Sequence, residues 1–190
     1  MIWREILFQG LEKSNFNFQQ QELAEKFNLS LSTVFNALKA PRNIKAIQAG
    51  GRGFSLVDPE KMLYLWATER QWEKDLLYSS LVSGQPAEIE SSVPAGTIWG
   101  FYSAYQYRFG DSPSDYDKVF IYIRKDDLAE IKKRFPYKKG PENLFVLEAD
   151  PFLSSYGNYG TLAQIFTDIW NTDDWYAREF LSKLKLKMDL

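Results

Sequence analysis

The sequence predicts an α+β protein, in which a small helical N-terminal part with one β-hairpin precedes a mixed α/β part. Residues 21–38 place apolar side chains at helical spacing on both sides of a short polar turn. Residues 44–57 contain two short apolar runs around a glycine-rich turn, the pattern of a β-hairpin. Residues 119–148 give strand, helix and strand in succession, which is typical of a mixed α/β arrangement.

The length of 190 residues is comfortable for two small domains. We predict a first domain over residues 1–78 and a second over residues 97–190. Residues 79–96 are rich in Ser, Pro and Gly and are the predicted boundary region. A hydrophobic fraction of 45%, with 16% aromatic residues, predicts packed cores and excludes a disordered chain.

The chain contains no Cys and no His. Their absence excludes disulfides, thiolate and imidazole metal sites, and catalysis by Cys or His side chains. The sequence has neither an apolar run near 18 residues nor a signal-peptide pattern, so we expect no spanning helix and no export. A cytoplasmic location without membrane contact is therefore predicted.

The two helices predicted within residues 21–38 form a helix-turn-helix. The apolar residues that can build one shared core are Leu23, Ala24, Phe27, Val34, Ala37 and Leu38. Ser30 is the expected N-cap of the second helix, because its hydroxyl can accept a hydrogen bond from the first turn. An ordinary helical hairpin has the same spacing. Alternatively, the second helix lies in the major groove of double-stranded DNA, where outward-facing Asn36 can bond bidentately to adenine.

A β-hairpin directly after a helix-turn-helix is the element order of a winged helix, whose wing commonly lies along the phosphate backbone. Arg42, Lys45 and Arg52 would supply that contact; the alternative is a solvated loop and strand face. The predicted DNA-binding residues are Ser30, Ser32, Thr33, Asn36, Lys39, Arg42, Lys45 and Arg52. Residues 1–75 carry ten Lys and Arg against nine Asp and Glu, so DNA affinity must come from a local group of cations.

Two further helices are predicted before the central strands. Asp58 as N-cap and Pro59 at the first helical position start a helix that we expect to reach residue 75. Its apolar stripe can pack on the N-terminal part or on a second copy in a homodimer. Residues 97–109 are predicted to form an aromatic helix that ends at Gly110.

A pair of aspartates, Asp115 and Asp117, stands between Gly110 and the strand predicted at residues 119–123. This order looks like the active site of the nucleotidyltransferase superfamily, in which two aspartates and a third carboxylate hold Mg²⁺ against a triphosphate. Glu148 or Asp150 would be the third carboxylate. The alternative is an acidic turn with solvated or capping aspartates, since the loop after the glycine is short for that superfamily.

Three segments resemble the family of prokaryotic winged-helix regulators related to the type IV abortive-infection antitoxins. They are FSLVDPEKMLYLWATER (54–70), YSAYQYRFG followed by VFIYI (102–110 and 119–123), and AQIFTDIWNTDDWYAREFLSKL (163–184). The resemblance implies a C-terminal domain of nucleotidyltransferase-like fold that is not used for transfer and needs no cofactor. It also implies a transcriptional autorepressor, with its own operator DNA and a nucleotidyltransferase-like toxin as partners.

The densest basic cluster of the chain follows the first central strand. Its members are Lys132, Lys133, Arg134, Lys138 and Lys139. Some of these side chains are expected to form a solvated helix face. A second DNA contact or a surface for an acidic partner is the alternative.

Overall fold

The computed structural model describes residues 1–51 and 53–190 and confirms the α+β class. The α-helices are α1 (Ile2–Lys13), α2 (Gln20–Phe27), α3 (Leu31–Ala37), α4 (Lys39–Asn43), α5 (Pro59–Glu69), α6 (Pro86–Ser91), α7 (Phe101–Phe109), α8 (Leu128–Arg134), α9 (Leu162–Trp170) and α10 (Ala177–Lys187). The strands are β1 (Asn17–Phe18), β2 (Ile47–Ala49), β3 (Phe54–Leu56), β4 (Leu76–Ser80), β5 (Ile98–Trp99), β6 (Val119–Ile123) and β7 (Leu144–Glu148). None of the helices in these two ranges is long and apolar enough to cross a membrane.

The N-terminal sheet has three antiparallel strands in the order β1-β3-β2. β2 and β3 form the predicted hairpin, which is closed by a hydrogen bond from Gly50 N to Gly53 O. Phe18 of β1 and Phe54 of β3 stack with their ring centroids 5.3 Å apart. Because β1 lies between α1 and α2 in the chain, its pairing with β3 joins the hairpin to the helices that precede it.

The second sheet has the strand order β4-β7-β6-β5, with β6 and β7 parallel and the two outer pairs antiparallel. All five residues of β6 are buried, as expected for a central strand with both faces covered. Its side chains alternate: Ile121 packs with α6 and α8, whereas Phe120 and Tyr122 belong to the larger core on the other face.

The larger core joins the N-terminal helices to the C-terminal half. It includes Ile6 of α1, Val34 of α3, Met62 of α5 and Ile169 of α9, all fully buried. Because Met62 and the neighbouring buried residues of α5 pack within the chain, the predicted apolar stripe of this helix is covered without a second copy. The two halves thus share one hydrophobic core.

Ion pairs also cross between the two halves. The guanidinium of Arg4 bonds both carboxylate oxygens of Asp150 at 2.5 and 2.8 Å, and Arg70 bonds Asp168 at 2.7 Å. Residues 76–80, on both sides of the predicted boundary at residue 79, form the single strand β4. The division into two domains stays a prediction.

Two predicted helix boundaries are wrong. The helix that starts at Asp58 ends at Glu69 rather than residue 75, because Arg70 is extended and Trp72 turns into the core, where its indole donates to Asn171 O. A 3₁₀ helix follows over Trp72–Asp75. The predicted aromatic helix begins at Phe101, because the two residues before Gly100 form β5 and pair with β6.

The start of the strand predicted at residues 44–48 is also wrong. α4 occupies Lys39–Asn43 with Pro41 inside it, and β2 begins only at Ile47. Pro41 is the third residue of α4, within the first turn, where backbone N–H groups have no intrahelical partner to lose. A proline at that place is compatible with a short helix.

Candidate nucleic-acid interface

The turn between α2 and α3 is built by Asn28 and Ser30. Asn28 adopts a left-handed conformation with φ of 51°, and its N–H closes the end of α2. Ser30 Oγ accepts a hydrogen bond from Thr33 N at 3.1 Å, which confirms the predicted N-cap of α3. Leu23 and Phe27 of α2 and Val34 of α3 are buried, as predicted. This arrangement fixes the direction in which α3 faces solvent.

The outward face of α3 carries polar side chains that no other element covers. Ser32 and Asn36 are exposed. Thr33 is also exposed, but its hydroxyl lies 2.8 Å from Ser30 Oγ and its side chain lines a groove towards α1 and α5. Ser30 is occupied by its capping bonds. Ser32 Oγ also lies 2.8 Å from Ser30 Oγ, so Asn36 is the polar side chain of α3 that is freest to meet another molecule.

An exposed aromatic ring lies beside these polar residues. Phe35 is 45% exposed, and the cationic groups of Lys39 and Arg42 lie 5.6 and 5.3 Å from its ring centroid. These distances are within the range of a cation–π interaction. Arg42 is half-buried, and its Nε has no hydrogen-bond partner within residues 1–51 and 53–190. Phe35 therefore holds two cations at the C-terminal end of α3.

Lys45 extends this group of cations from a turn rather than from a strand. It has a left-handed backbone with φ of 60°, and its N–H donates to Arg42 O at 3.0 Å. Its side chain is exposed. Arg52, predicted at the tip of the hairpin, lies outside the described residues. Lys39 and Arg42 of α4 thus lie together beside Phe35, and Lys45 follows them in a turn rather than in a strand.

The charges of this surface are not neutralised by the described part of the chain. Neither Lys39, Arg42 nor Lys45 forms an ion pair with a carboxylate among the described residues. Lys26 of the preceding helix, by contrast, pairs with Glu5 at 2.7 Å. Positive charge that has no internal partner is what a phosphate backbone requires from a protein surface.

A hydrogen bond from α1 also helps to fix the position of α3. The indole Nε1 of Trp3 in α1 donates to Ala37 O at the end of α3, at 2.7 Å. This bond satisfies a carbonyl that has no intrahelical partner. Spacing along the chain could not predict it, because the two residues are 34 positions apart and each fits an ordinary helix.

The alternative catalytic residues are not brought together. Asp115 and Asp117 lie in an irregular segment before β6, not on the strand, and Asp117 accepts a hydrogen bond from Tyr176 Oη at 2.6 Å. Glu148 pairs with Ile123 at the opposite end of the parallel strands β6 and β7. The length of β6, about 13 Å at 3.3 Å per residue, separates them. Ligands of one Mg²⁺ must lie about 2 Å from the ion, so these three carboxylates cannot share it.

Asp150, the other candidate for the third carboxylate, is engaged by Arg4. Burial acts to raise the pKa of Asp150, but the hydrogen bonds and charge of Arg4 outweigh it and hold this pKa below its ordinary value. Near the aspartate pair, burial and the Asp117 carboxylate raise the pKa of Tyr176, which keeps its hydroxyl a donor. In residues 1–51 and 53–190, no group of three or more acidic side chains is placed to hold a metal ion.

Comparison with known proteins adds no relative. The chain matches no protein-family model, no curated protein and no solved structure. The resemblance to abortive-infection antitoxins therefore stays a prediction that depends on the quoted segments alone.

Proposed function

We propose that the chain is a sequence-specific DNA-binding transcriptional regulator, with its N-terminal part acting as a winged helix and α3 as the recognition helix. The observation that carries this proposal is the uncovered polar face of α3, bordered by Lys39, Arg42 and Lys45. Polar side chains on one helix, with cations beside it, are what a major-groove contact requires.

Each part of this surface has a distinct proposed role. Asn36 reads a base edge, for which its carboxamide suits adenine, and Ser32 supports it. Phe35 offers an apolar surface to a thymine methyl group. Lys39, Arg42 and Lys45 contact phosphates and contribute affinity that does not depend on sequence. Ser30 and Thr33 act mainly by fixing the start of α3.

We further propose an antitoxin-like autorepressor that acts in the cytoplasm and binds a separately encoded nucleotidyltransferase-like toxin. The quoted sequence segments support this, and the C-terminal part is then a nucleotidyltransferase-like fold without transfer activity. A mixed sheet with the central parallel pair β6 and β7 is compatible with that fold. The opposite placement of Asp117 and Glu148 supports the absence of a transfer reaction.

The deciding experiment measures binding of the full chain to DNA at about physiological ionic strength. We expect a stable shift of the chain's own upstream DNA and weaker binding to random duplex of equal length. Substituting Ser32→Ala and Asn36→Ala together should remove the preference while leaving the circular dichroism spectrum unchanged. If selection from a random duplex pool enriches no sequence, the proposed function is wrong.

The toxin and homodimer proposals need separate measurements. Co-expression with the neighbouring gene product, followed by size-exclusion chromatography, tests the toxin partner. The mass of the complex with operator DNA gives the number of chains bound. Two chains on a palindromic operator would support a dimer, and one chain would exclude it for this site.

A further inference from the structure

A second cationic surface lies far from α3 along the chain, at residues 132–139, and is called the 132–139 surface below. Its five cations are all exposed, and no acidic residue interrupts them: they are Lys132, Lys133, Arg134, Lys138 and Lys139. Arg134 forms one long ion pair, 3.5 Å, with Glu130 and donates a hydrogen bond to Ser92 O at 3.0 Å. Lys133 and Lys139 form no ion pair among the described residues. Most of this charge is therefore available to another molecule.

Hydrogen bonds to the edge strand β4 hold this segment in place. Tyr78 Oη donates to Phe135 O at 2.7 Å, and Lys138 N donates to Ser80 Oγ at 2.9 Å. Leu81 N donates to Lys138 O at 3.2 Å. The backbone on both sides of residue 137 is thus fixed. A surface that is already ordered loses less entropy when a ligand binds.

Tyr137 stands between these anchored residues and is 68% exposed. Beside it lies a cleft of about 380 Å³, within the range of small-molecule sites of about 300–1,000 Å³. Leu81 and Val82 contribute apolar surface to this cleft, and Arg134 and Lys138 lie at it. The cleft thus combines a planar ring, apolar side chains and two cations.

The 132–139 surface is on the other side of the second sheet from the recognition helix. Ile131 and Phe135 anchor it on the face that carries Ile121, whereas α3 belongs to the core on the opposite face. A straight duplex bound along α3 is therefore not the molecule expected here. The two surfaces can be tested independently.

We propose that the 132–139 surface binds single-stranded nucleic acid, with one base stacked on Tyr137 in the cleft and the adjoining phosphates on Arg134, Lys138 and their neighbours. Aromatic rings interleaved with cations are the usual means of holding single strands. An acidic polypeptide could use the cations, but it does not carry a planar ring beside each negative charge, as a nucleotide strand does. A paired base in a duplex is already stacked and cannot enter it.

The first test measures the anisotropy of a fluorescently labelled 12-nucleotide single strand titrated with the full chain. Tyr137→Ala should weaken binding roughly 5- to 150-fold, the loss expected when one base–aromatic stack is removed. Trp175→Ala is the matched control, because Trp175 is an 80% exposed aromatic outside this surface. If both variants bind as the wild type does, the proposal is wrong.

The second test distinguishes an effect of charge at the 132–139 surface from an effect of the net charge of the chain. Lys133→Glu with Lys139→Glu should lower the affinity and flatten its salt dependence, by about 0.7 in the logarithmic slope for each phosphate that the variant no longer binds. Lys74→Glu with Lys183→Glu changes the net charge equally at exposed positions elsewhere and should have a small effect. Equal losses of affinity in the two double variants would contradict a local site.

Competition identifies the ligand. An unlabelled single strand should displace the labelled one, whereas a polyglutamate of equal charge and a random duplex should not. Displacement by polyglutamate at equal concentration would assign the surface to an acidic protein and overturn the proposal. A free nucleoside monophosphate that binds as tightly as the strand would overturn the polymer assignment. Asn36→Ala should leave single-strand binding unchanged, so failure here is distinguishable from failure of the operator proposal.

Discussion

Arg70 and Asp168 form a buried ion pair where α5, the second sheet and α9 meet. Arg70 Nε lies 2.7 Å from Asp168 Oδ1, and the Asp168 side chain is 1% exposed. The other carboxylate oxygen of Asp168 accepts a hydrogen bond from Tyr122 Oη of β6 at 2.6 Å. Asp75 binds the same guanidinium at 2.5 Å. These groups connect the N-terminal helices to the sheet through satisfied polar contacts rather than through apolar packing alone.

Arg70→Met should destabilise the chain by about 3–5 kcal/mol, because it leaves the Asp168 carboxylate buried without a counter-charge. Urea unfolding followed by circular dichroism measures this loss. Arg124→Met is the matched control, since the Arg124 side chain is 79% exposed and pairs with Asp127 at the surface. The control should change stability little. Equal losses would mean that the buried pair has no special role.

The Arg4–Asp150 pair predicts a pH dependence of stability. Because Arg4 holds the folded-state pKa of Asp150 below its unfolded value of 3.8, the pair stabilises the fold above that pH. This contribution is lost as the pH falls through the lower folded-state value. The difference in unfolding free energy between wild type and Asp150→Asn should therefore be largest near pH 7 and shrink below pH 3.8. A difference that stays constant down to pH 2 would contradict this prediction.

Gly53 is needed where the hairpin meets β1. A Cβ atom at this position would lie 2.0 Å from the backbone oxygen of Phe18, so one of the two strands would have to move. Gly53→Ala should destabilise the chain by about 1–3 kcal/mol, the usual cost of overpacking. Gly51→Ala provides the control, because nothing lies within 4 Å of its added Cβ. Thermal unfolding of both variants distinguishes the two positions.

The sequence predicted the elements whose signals are local. α1, α2, α3 and the central strands β6 and β7 follow from apolar periodicity, and Ser30 and Asp58 cap helices as expected. β5 was missed because it has only two residues, and β4 was missed because it acquires its conformation by pairing with the distant strand β7. The early end of α5 likewise depends on partners of Arg70 that are distant in the sequence.

The candidate interface could be predicted only in part, for the same reason. Helical spacing correctly left Ser32 and Asn36 exposed. It could not show that Lys39 and Arg42 lie beside the Phe35 ring. Their placement depends on α4, which forms where Pro41 predicted the end of a helix. An acidic residue such as Asp168 in an otherwise apolar helix indicates a buried polar contact. Spacing along the sequence could not identify Arg70 and Tyr122 as its partners.

Asn36→Ala should relax base preference at one operator position without abolishing binding. A bidentate carboxamide contact discriminates between bases by about 1–3 kcal/mol, and alanine cannot replace it. Affinities for operators that carry each of the four base pairs at every position measure this effect. Asn158→Ala, at an exposed position outside the helix-turn-helix, should keep the full preference. An unchanged preference profile in Asn36→Ala would exclude Asn36 as a base reader.

Lys39→Gln should weaken binding to all duplexes alike, because Lys39 is proposed to contact phosphate rather than a base. Each phosphate contact contributes about 0.9 to the slope of log affinity against log salt, so the slope should fall by about one. Titrations between roughly 50 and 200 mM salt, the usual range for this effect, measure it. Lys183→Gln removes the same charge from an exposed position of α10 and should leave the slope unchanged. If the two variants have equal slopes, Lys39 does not lie against the DNA backbone, and the cations beside Phe35 serve the fold of α4 instead.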